Sequence, residues 1–345
     1  MELVQLPSRP SDWDQRIQKF PNKSLFHESA WLDYVRSSHP RSEIEYFEIR
    51  RGPECLGYFC AIKTRKFVFS FWGSPFPGAG MYMGPVAEPH VDQTEFAHLL
   101  VEHCKAEHIA YFELSNDWLD KNMMQAEGFR VETSVTHVCP LTGGVGAVWE
   151  RMNGTCRTRI RKAEKSGLVV EEAHDNGVVE EFYSQFVRVL AGKGLKPLYD
   201  LERARLLFQH LGSADRLFAL RVWFQERVIA TGFYLHDDRT MYFEDSSYEP
   251  DFLHLCPNNL LHWTAIKMAI DRGITVFNMG GGPQPSRFTQ KFGGSLQPYL
   301  IYRKSFVPFL EQARRAYHFL NRHRYVATGL VGNVGVQLSQ YGRDA

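Results

Sequence analysis

The order of helix and strand signals in the first half of the chain recurs in the second half, and this repetition restricts the fold more than any single motif. In the first half, a strand with Gly57-Tyr58-Phe59 leads through a long loop to a helix over Thr94–Glu107. A buried strand over Ala110–Leu114, a turn at Gly128-Phe129 and a strand over Val131–Leu141 follow. In the second half, a strand with Gly232-Phe233-Tyr234 leads to a helix over Asn258–Arg272. A strand over Thr275–Met279, a turn at Phe292-Gly293 and a strand over Pro298–Arg303 follow. The helices are read from apolar spacing: Phe96, Leu99, Leu100 and His103 share one face, as do Leu261, Ala265, Met268 and Ala269. A repeated series of this kind implies two copies of one supersecondary unit. Antiparallel meanders followed by a helix and further strands predict a mixed α/β fold, with a largely antiparallel sheet flanked by helices in each copy. The expected domains are 1–148 and 149–305, with a C-terminal helix and tail over 306–345.

Composition and missing motifs narrow the function. Forty Lys+Arg against 39 Asp+Glu leave a net charge of +1, so any contact with RNA or phosphate has to be local. Six cysteines without a C-x-x-C pair read as reduced thiols in a cytoplasmic protein. There is no secretory h-region at the start and no apolar run long enough to span a bilayer. G-x-G-x-x-G opening a helix, G-x-x-x-x-G-K-[ST], H-E-x-x-H and G-x-S-x-G are all absent, and no metal-spaced Cys/His set is present. No metal site is expected. Cys156 sits among arginines but lacks a recognisable general base, and His254 and His262 carry no site pattern.

Three stretches carry candidate chemistry. A basic helix is expected over Val148–Ser166, with Arg157, Arg161, Lys162 and Lys165 crowding one side. Such a stripe can hold a diphosphate or an RNA backbone, and its plainer alternative is a solvated basic face. The stretch Phe277–Gly294 runs from a buried strand into Gly280-Gly281-Gly282, then Arg287, Phe288 and Lys291. Glycines permit close backbone approach to a ligand, and the two cations can hold phosphate or polarise a carbonyl. In Tyr242–Tyr248, strict alternation puts Glu244 on one sheet face and Asp245 on the other. Either carboxylate can act as general base toward an amine.

Together these stretches resemble the FemAB/FemX family of the wider GNAT acyltransferase superfamily. Ser24–Arg36 is similar to the family's opening helix with its Trp, and Arg157–Gly167 to its R-x-x-I-R-K-A-x-K-x-G segment. Ala230–Met279 resembles the strand and P-N-N-L-L-H-W-x-A-I helix core, and Phe288–Gly294 resembles the F-K-x-x-F-G signature. The signature lysine would fall at Thr289, where this chain instead has Lys291 two positions on, and the family's first-domain acid would fall near Ser115. The resemblance implies tandem GNAT-like domains sharing a cleft, and direct acyl transfer to an amine without a covalent enzyme intermediate.

The reading that follows is an acyltransferase that forms an amide by moving an aminoacyl group from aminoacyl-tRNA to a small-molecule or peptide amine. No cofactor is expected to be tightly bound; aminoacyl-tRNA or acyl-CoA serves as co-substrate. Lys291 would contact the donor, and Glu244 or Asp245 would take the proton. Arg36, Arg157, Arg161, Tyr248, Arg287 and Phe288 would bind substrate, the arginines through an anionic acceptor or the tRNA acceptor end. The C-terminal helix, with Arg314, Arg315 and Arg322 opposite an apolar face, offers peripheral membrane contact or, more plainly, docks on the second domain. The alternatives are an acyl-CoA-dependent N- or O-acyltransferase on a sugar or small molecule, and a non-catalytic GNAT-like binding protein.

Overall fold

The computed structural model describes residues 1–75, 80–197, 199–281 and 288–312. Along the chain, β1 (Glu2–Leu6), α1 (Trp13–Gln18) and α2 (Ser29–Ser38) precede β2 (Ser42–Arg51), β3 (Glu54–Lys66), β4 (Phe69–Ser74) and β5 (Pro85–Ala87). Next come α3 (Gln93–Ala106), β6 (Ile109–Asn116), α4 (Lys121–Ala126), β7 (Arg130–Pro140), α5 (Gly144–Arg151), α6 (Gly154–Lys165) and β8 (Val169–Glu172). The second series continues with α7 (Gly177–Gly192), α8 (Leu201–Ser213), β9 (Leu217–Phe224), β10 (Arg227–His236) and β11 (Thr240–Tyr248). It closes with α9 (Pro257–Asp271), β12 (Val276–Gly281) and β13 (Ser295–Ser305).

The chain forms two compact units. The first is Met1–Ser134 with the last described stretch, which starts at Pro298; the second is Val135–Gln297. This division differs from the 148/149 boundary expected from sequence, and strand pairing explains why. In the first unit the order is β1-β2-β3-β4-β6-β13, antiparallel except for β4 and β6. In the second it is β8-β9-β10-β11-β12-β7, antiparallel except for β11 and β12. Each unit is thus a meander, one parallel step across a helix, and a final antiparallel strand. Parallel neighbours need a crossover of a dozen or more residues, which α3 and α9 supply. The final strands are exchanged. β13 follows β12 in sequence yet pairs with β6, from Leu300 opposite Asn116 to Ser305 opposite Tyr111. β7 follows β6 yet pairs with β12, with Phe277 opposite Cys139.

Both cores follow the expected burial. In the first unit Phe47, Phe59, Trp72, Phe96 and Phe112 are buried together, with Phe59 and Trp72 rings 5.4 Å apart. In the second, α6 and α9 lay Ile160, Leu261, Ala265 and Ala269 on Phe218, Tyr234 and Phe277. α7 and α8 cover the opposite face, where Phe182 lies 4.7 Å from Phe233. The paired glycines of the repeat are both explained by packing. A Cβ on Gly57 would sit 2.4 Å from the Val86 carbonyl oxygen of β5, and one on Gly232 would sit 2.7 Å from Leu261 Cδ2 of α9.

One local expectation is corrected, and another falls largely outside the described residues. The single basic helix over 148–166 is two helices, because Asn153 leaves the helical path and its side chain accepts a hydrogen bond from the Thr155 N–H at 2.7 Å. The C-terminal helix lies outside the described residues from 313 on. The part that is described packs on the first unit: the Phe306 N–H donates to the Ala110 carbonyl at 2.9 Å, and Arg130 pairs with Glu311.

Candidate active site

The second unit contains a break in its sheet. β11 and β12 are register partners only from Thr240 opposite Val276 to Tyr242 opposite Asn278. β11 then runs on to Tyr248 and β12 to Gly281 without pairing each other. Where parallel strands part in an α/β layer, their edges face a crevice open to a ligand.

On β11, the ladder to β10 shifts at this break. Phe233 is opposite Asp245 and Tyr234 is opposite Phe243, so Glu244 is an extra residue with no partner. The strict alternation expected from sequence therefore fails at Glu244, because a bulge re-aims the side chains around it. Asp245 shares a face with Phe233, towards α7 and α8, and Tyr199 just before α8 donates to Asp245 Oδ2 at 3.0 Å. Glu244 feels the positive charge of Arg203 on α8. Asp245 thus looks towards these helices, and Glu244, unpaired in the bulge, lies within electrostatic reach of Arg203. Burial pushes the Asp245 carboxyl up to about 7; the Glu244 charge adds to the rise, while the Tyr199 hydroxyl and the Ser246 N–H oppose it. Burial raises Glu244 to about 6, against the pull of Arg203. Two adjacent carboxyls near neutrality titrate as a pair and can hold or release a proton at physiological pH.

Phe243 faces the other way and meets His262 of α9, ring centres 4.9 Å apart. The His262 ring also contacts Phe288 at 5.4 Å and Phe292 at 5.3 Å. These residues flank Lys291 in a 3-10 turn over Thr289–Phe292, so one ring joins the strand carrying the acids to the turn carrying the lysine. Burial pushes His262 down to about 3, and its Nδ1 pairs with the Tyr234 hydroxyl at 2.7 Å, so it is a neutral spacer and not a cation. The turn is tied to the start of α6: the Asn153 N–H donates to the Lys291 carbonyl at 2.9 Å. Cys156, on the first turn of α6, is fully buried and accepts from Asn259 Nδ2 at 3.7 Å, and burial pushes its thiol up to about 11. A buried thiol whose pKa is raised is not activated as a nucleophile.

The remaining sequence candidates are dispersed. Arg157 is spent on Glu150 at 2.8 Å, and exposed Arg161 lies 5.1 Å over the Trp149 ring, which contacts Trp263 at 5.1 Å. Tyr248 ends β11, half-buried against the α9-side core. Arg36 lies in the first unit on α2, paired with Asp33 at 2.9 Å. Arg287 and Gly282 lie outside the described residues. Gly281 does not serve a ligand: a Cβ there would sit 1.9 Å from the Val135 carbonyl of β7, so the glycine permits strand pairing. Tyr199, Arg203 and the bridging role of His262 were not found from sequence. No group of three or more His, Cys, Asp or Glu among the described residues could hold a metal ion.

The fold has known counterparts. Residues 150–288 match the family model described as Acetyltransferase (GNAT) domain. The solved structure of FemX superposes with a TM-score of 0.68 at 13% identity, covering 87% of this chain and 97% of FemX. This chain has a FemX-like GNAT fold. A tandem GNAT protein from the clavulanic acid biosynthesis pathway shares it, with a TM-score of 0.51 at 9% identity over 89% of this chain and 99% of that one. So does the C-terminal domain of an Agrobacterium fabrum protein assigned as a lysylphosphatidylglycerol synthetase, with a TM-score of 0.53 at 13% identity over 95% of this chain and 100% of that domain. No curated protein sequence matches the chain. At these identities the structural likeness is one of fold, and the FemX-like GNAT fold confirms the tandem mixed α/β architecture expected from the sequence.

Proposed function

We propose that this protein is an acyltransferase of the GNAT type that transfers an aminoacyl group from aminoacyl-tRNA to an amine. The observation that carries the reading is the parting of β11 and β12 beside the raised carboxyl pair Glu244/Asp245. The amine nitrogen attacks the ester carbonyl carbon, and a C–N bond forms. The proton passes to the Asp245/Glu244 pair. The carbonyl oxygen carries the developing negative charge, and Lys291, in the turn that His262 joins to Phe243 of β11, is the cation proposed to offset it. The C–O ester bond then breaks, and the ribose oxygen leaves with a proton returned by the carboxyl pair. Positioning supplies most of the acceleration. Arg161 on Trp149 offers a cation and a ring face to the acceptor end of the RNA.

The approach to α9 favours an ester donor over acyl-CoA. A CoA pyrophosphate requires free N–H groups at a helix start. Here the stretch 249–257 contains Glu249, Asp251, Pro250 and Pro257 and no glycine. Pro257 removes a donor at the first helical position. Aminoacyl transfer also agrees with the names of the fold neighbours, FemX and the lysylphosphatidylglycerol synthetase domain. The acetyltransferase family match favours a second reading, acyl-CoA as donor.

The test supplies purified protein with a pool of charged tRNAs, and separately with acetyl-CoA, each with mixed amines. Consumption of one aminoacyl-tRNA, lost in Lys291→Ala, is expected. Thiol release from acetyl-CoA alone would replace the donor. No turnover in either arm, with retained ligand binding, would favour a non-catalytic GNAT-like binding protein.

A further inference from the structure

Among the described residues, the three most exposed large apolar side chains are Phe67 at 100%, Val68 at 88% and Phe309 at 77%. They come from two distant segments, yet strand register brings both to one end of the first unit's sheet. Phe67 and Val68 form the turn between β3 and β4, past the last pair, Lys66 opposite Phe69. β4 lies beside β6, with Ser70 opposite Ile109, and β13 ends with Ser305 opposite Tyr111. Phe309 follows four residues after that end. Both turn tips hold a phenylalanine at positive φ, 56° at Phe67 and 62° at Phe309.

The charges on the hairpin tip itself have one sign. From residue 64 to residue 71 the hairpin carries Arg65 and Lys66 and no acid. Arg41 sits at its base, where the Thr64 hydroxyl donates to the Arg41 carbonyl at 3.5 Å. The nearby acids each lie beside a base, although three of them share Lys63. Glu45 and Glu107 each hold Lys63 at 3.1 Å, Glu43 lies opposite Lys63 in the ladder, Glu102 holds Lys105 at 2.8 Å, and Glu311 pairs with Arg130.

We propose that this end of the first unit docks on an anionic lipid surface, inserting Phe67, Val68 and Phe309 between acyl chains while Arg41, Arg65 and Lys66 meet the headgroups. A protein partner requires shape-complementary packing, which protruding tips do not offer; a fluid bilayer interface takes apolar tips flanked by bases without it. Each base near an anionic surface strengthens binding by roughly five-fold, and burying the exposed phenylalanine by roughly ten-fold or more.

The test is sedimentation of the full chain with vesicles of phosphatidylcholine, with and without phosphatidylglycerol. The variants are Phe67→Asn with Val68→Ser, Asn being chosen because it tolerates positive φ, and Arg65→Gln with Lys66→Gln. All changed residues are exposed, so thermal melting should be unchanged. Binding to the anionic vesicles is expected, at least ten-fold weaker in the apolar variant and roughly twenty-five-fold weaker in the charge variant, which keeps Arg41. Failure of the wild-type chain to bind anionic vesicles would overturn the proposal, as would binding indifferent to the apolar variant. Self-association abolished by that variant, without vesicle binding, would assign the surface to a second copy.

Discussion

Replacing Asp245 by Asn should stabilise the protein at alkaline pH while removing its activity. The Asp245 carboxyl is 5% exposed and is held up to about 7 from an ordinary 3.8. The folded state therefore binds the proton more tightly than the unfolded chain. Between those two values the native state holds more protons, so stability falls as pH rises, and the loss is complete above about 7. A rise of roughly three units corresponds to about 4 kcal/mol above pH 7, and to under about 2 kcal/mol at pH 5. Asn cannot ionise, keeps an oxygen for the Tyr199 hydroxyl and leaves Glu244 without its charged neighbour. The variant should gain about 2 to 3 kcal/mol relative to wild type on going from pH 5 to pH 8. Urea unfolding followed by tryptophan fluorescence at the two pH values reads this difference. An equal stability difference at both pH values, or a variant less stable at pH 8, would refute the argument that Asp245 is a carboxylate charged at a cost.

Four other outcomes follow from the same structure. The wild-type pH profile of kcat/KM should rise through about 6 to 7 as the Glu244/Asp245 pair loses a proton, and a profile flat across that range would remove the pair from proton transfer. Gly57→Ala should cost more than Gly232→Ala, about 3 against about 1 to 2 kcal/mol by thermal melting, because the first Cβ meets a backbone oxygen at 2.4 Å and the second a leucine methyl at 2.7 Å. Alkylation at mildly alkaline pH should label Cys55 and Cys256 well before the buried Cys60, Cys104, Cys139 and Cys156; rapid labelling of Cys156 would reopen it as a nucleophile. Lys291→Ala should lower kcat on the order of a hundred-fold without moving the melting temperature, because its backbone carbonyl, not its ammonium, ties the turn to Asn153.

Much of the architecture was legible because periodicity and the Gly-aromatic repeat report local structure. The helices over 94–107 and 258–272, and the strands around them, stand within a few residues of their expected limits. The exchange of the last strands was not legible, since β7 and β13 have the same alternation whichever sheet they join. The helix break was available in Asn153-Gly154, but the basic periodicity of the flanking residues ran through it. At the site, residue type singled out Glu244, Asp245, Phe288 and Lys291. The side to which the two acids turn depends on a bulge that only pairing with β10 creates. Arg157 read as an open cation because Glu150, its partner across the helix break, lies seven residues away. Tyr199 carries no local signal, because its role arises from a loop folding back onto β11.

The most direct test of donor choice is a competition in one tube. Aminoacyl-tRNA carrying a labelled amino acid and acetyl-CoA carrying a different label are mixed with the protein and an amine acceptor panel, and the amide products are read by mass spectrometry. The expected product carries the amino-acid label alone and is absent with Asp245→Asn. A product carrying only the acetyl label would contradict the proposed aminoacyl transfer.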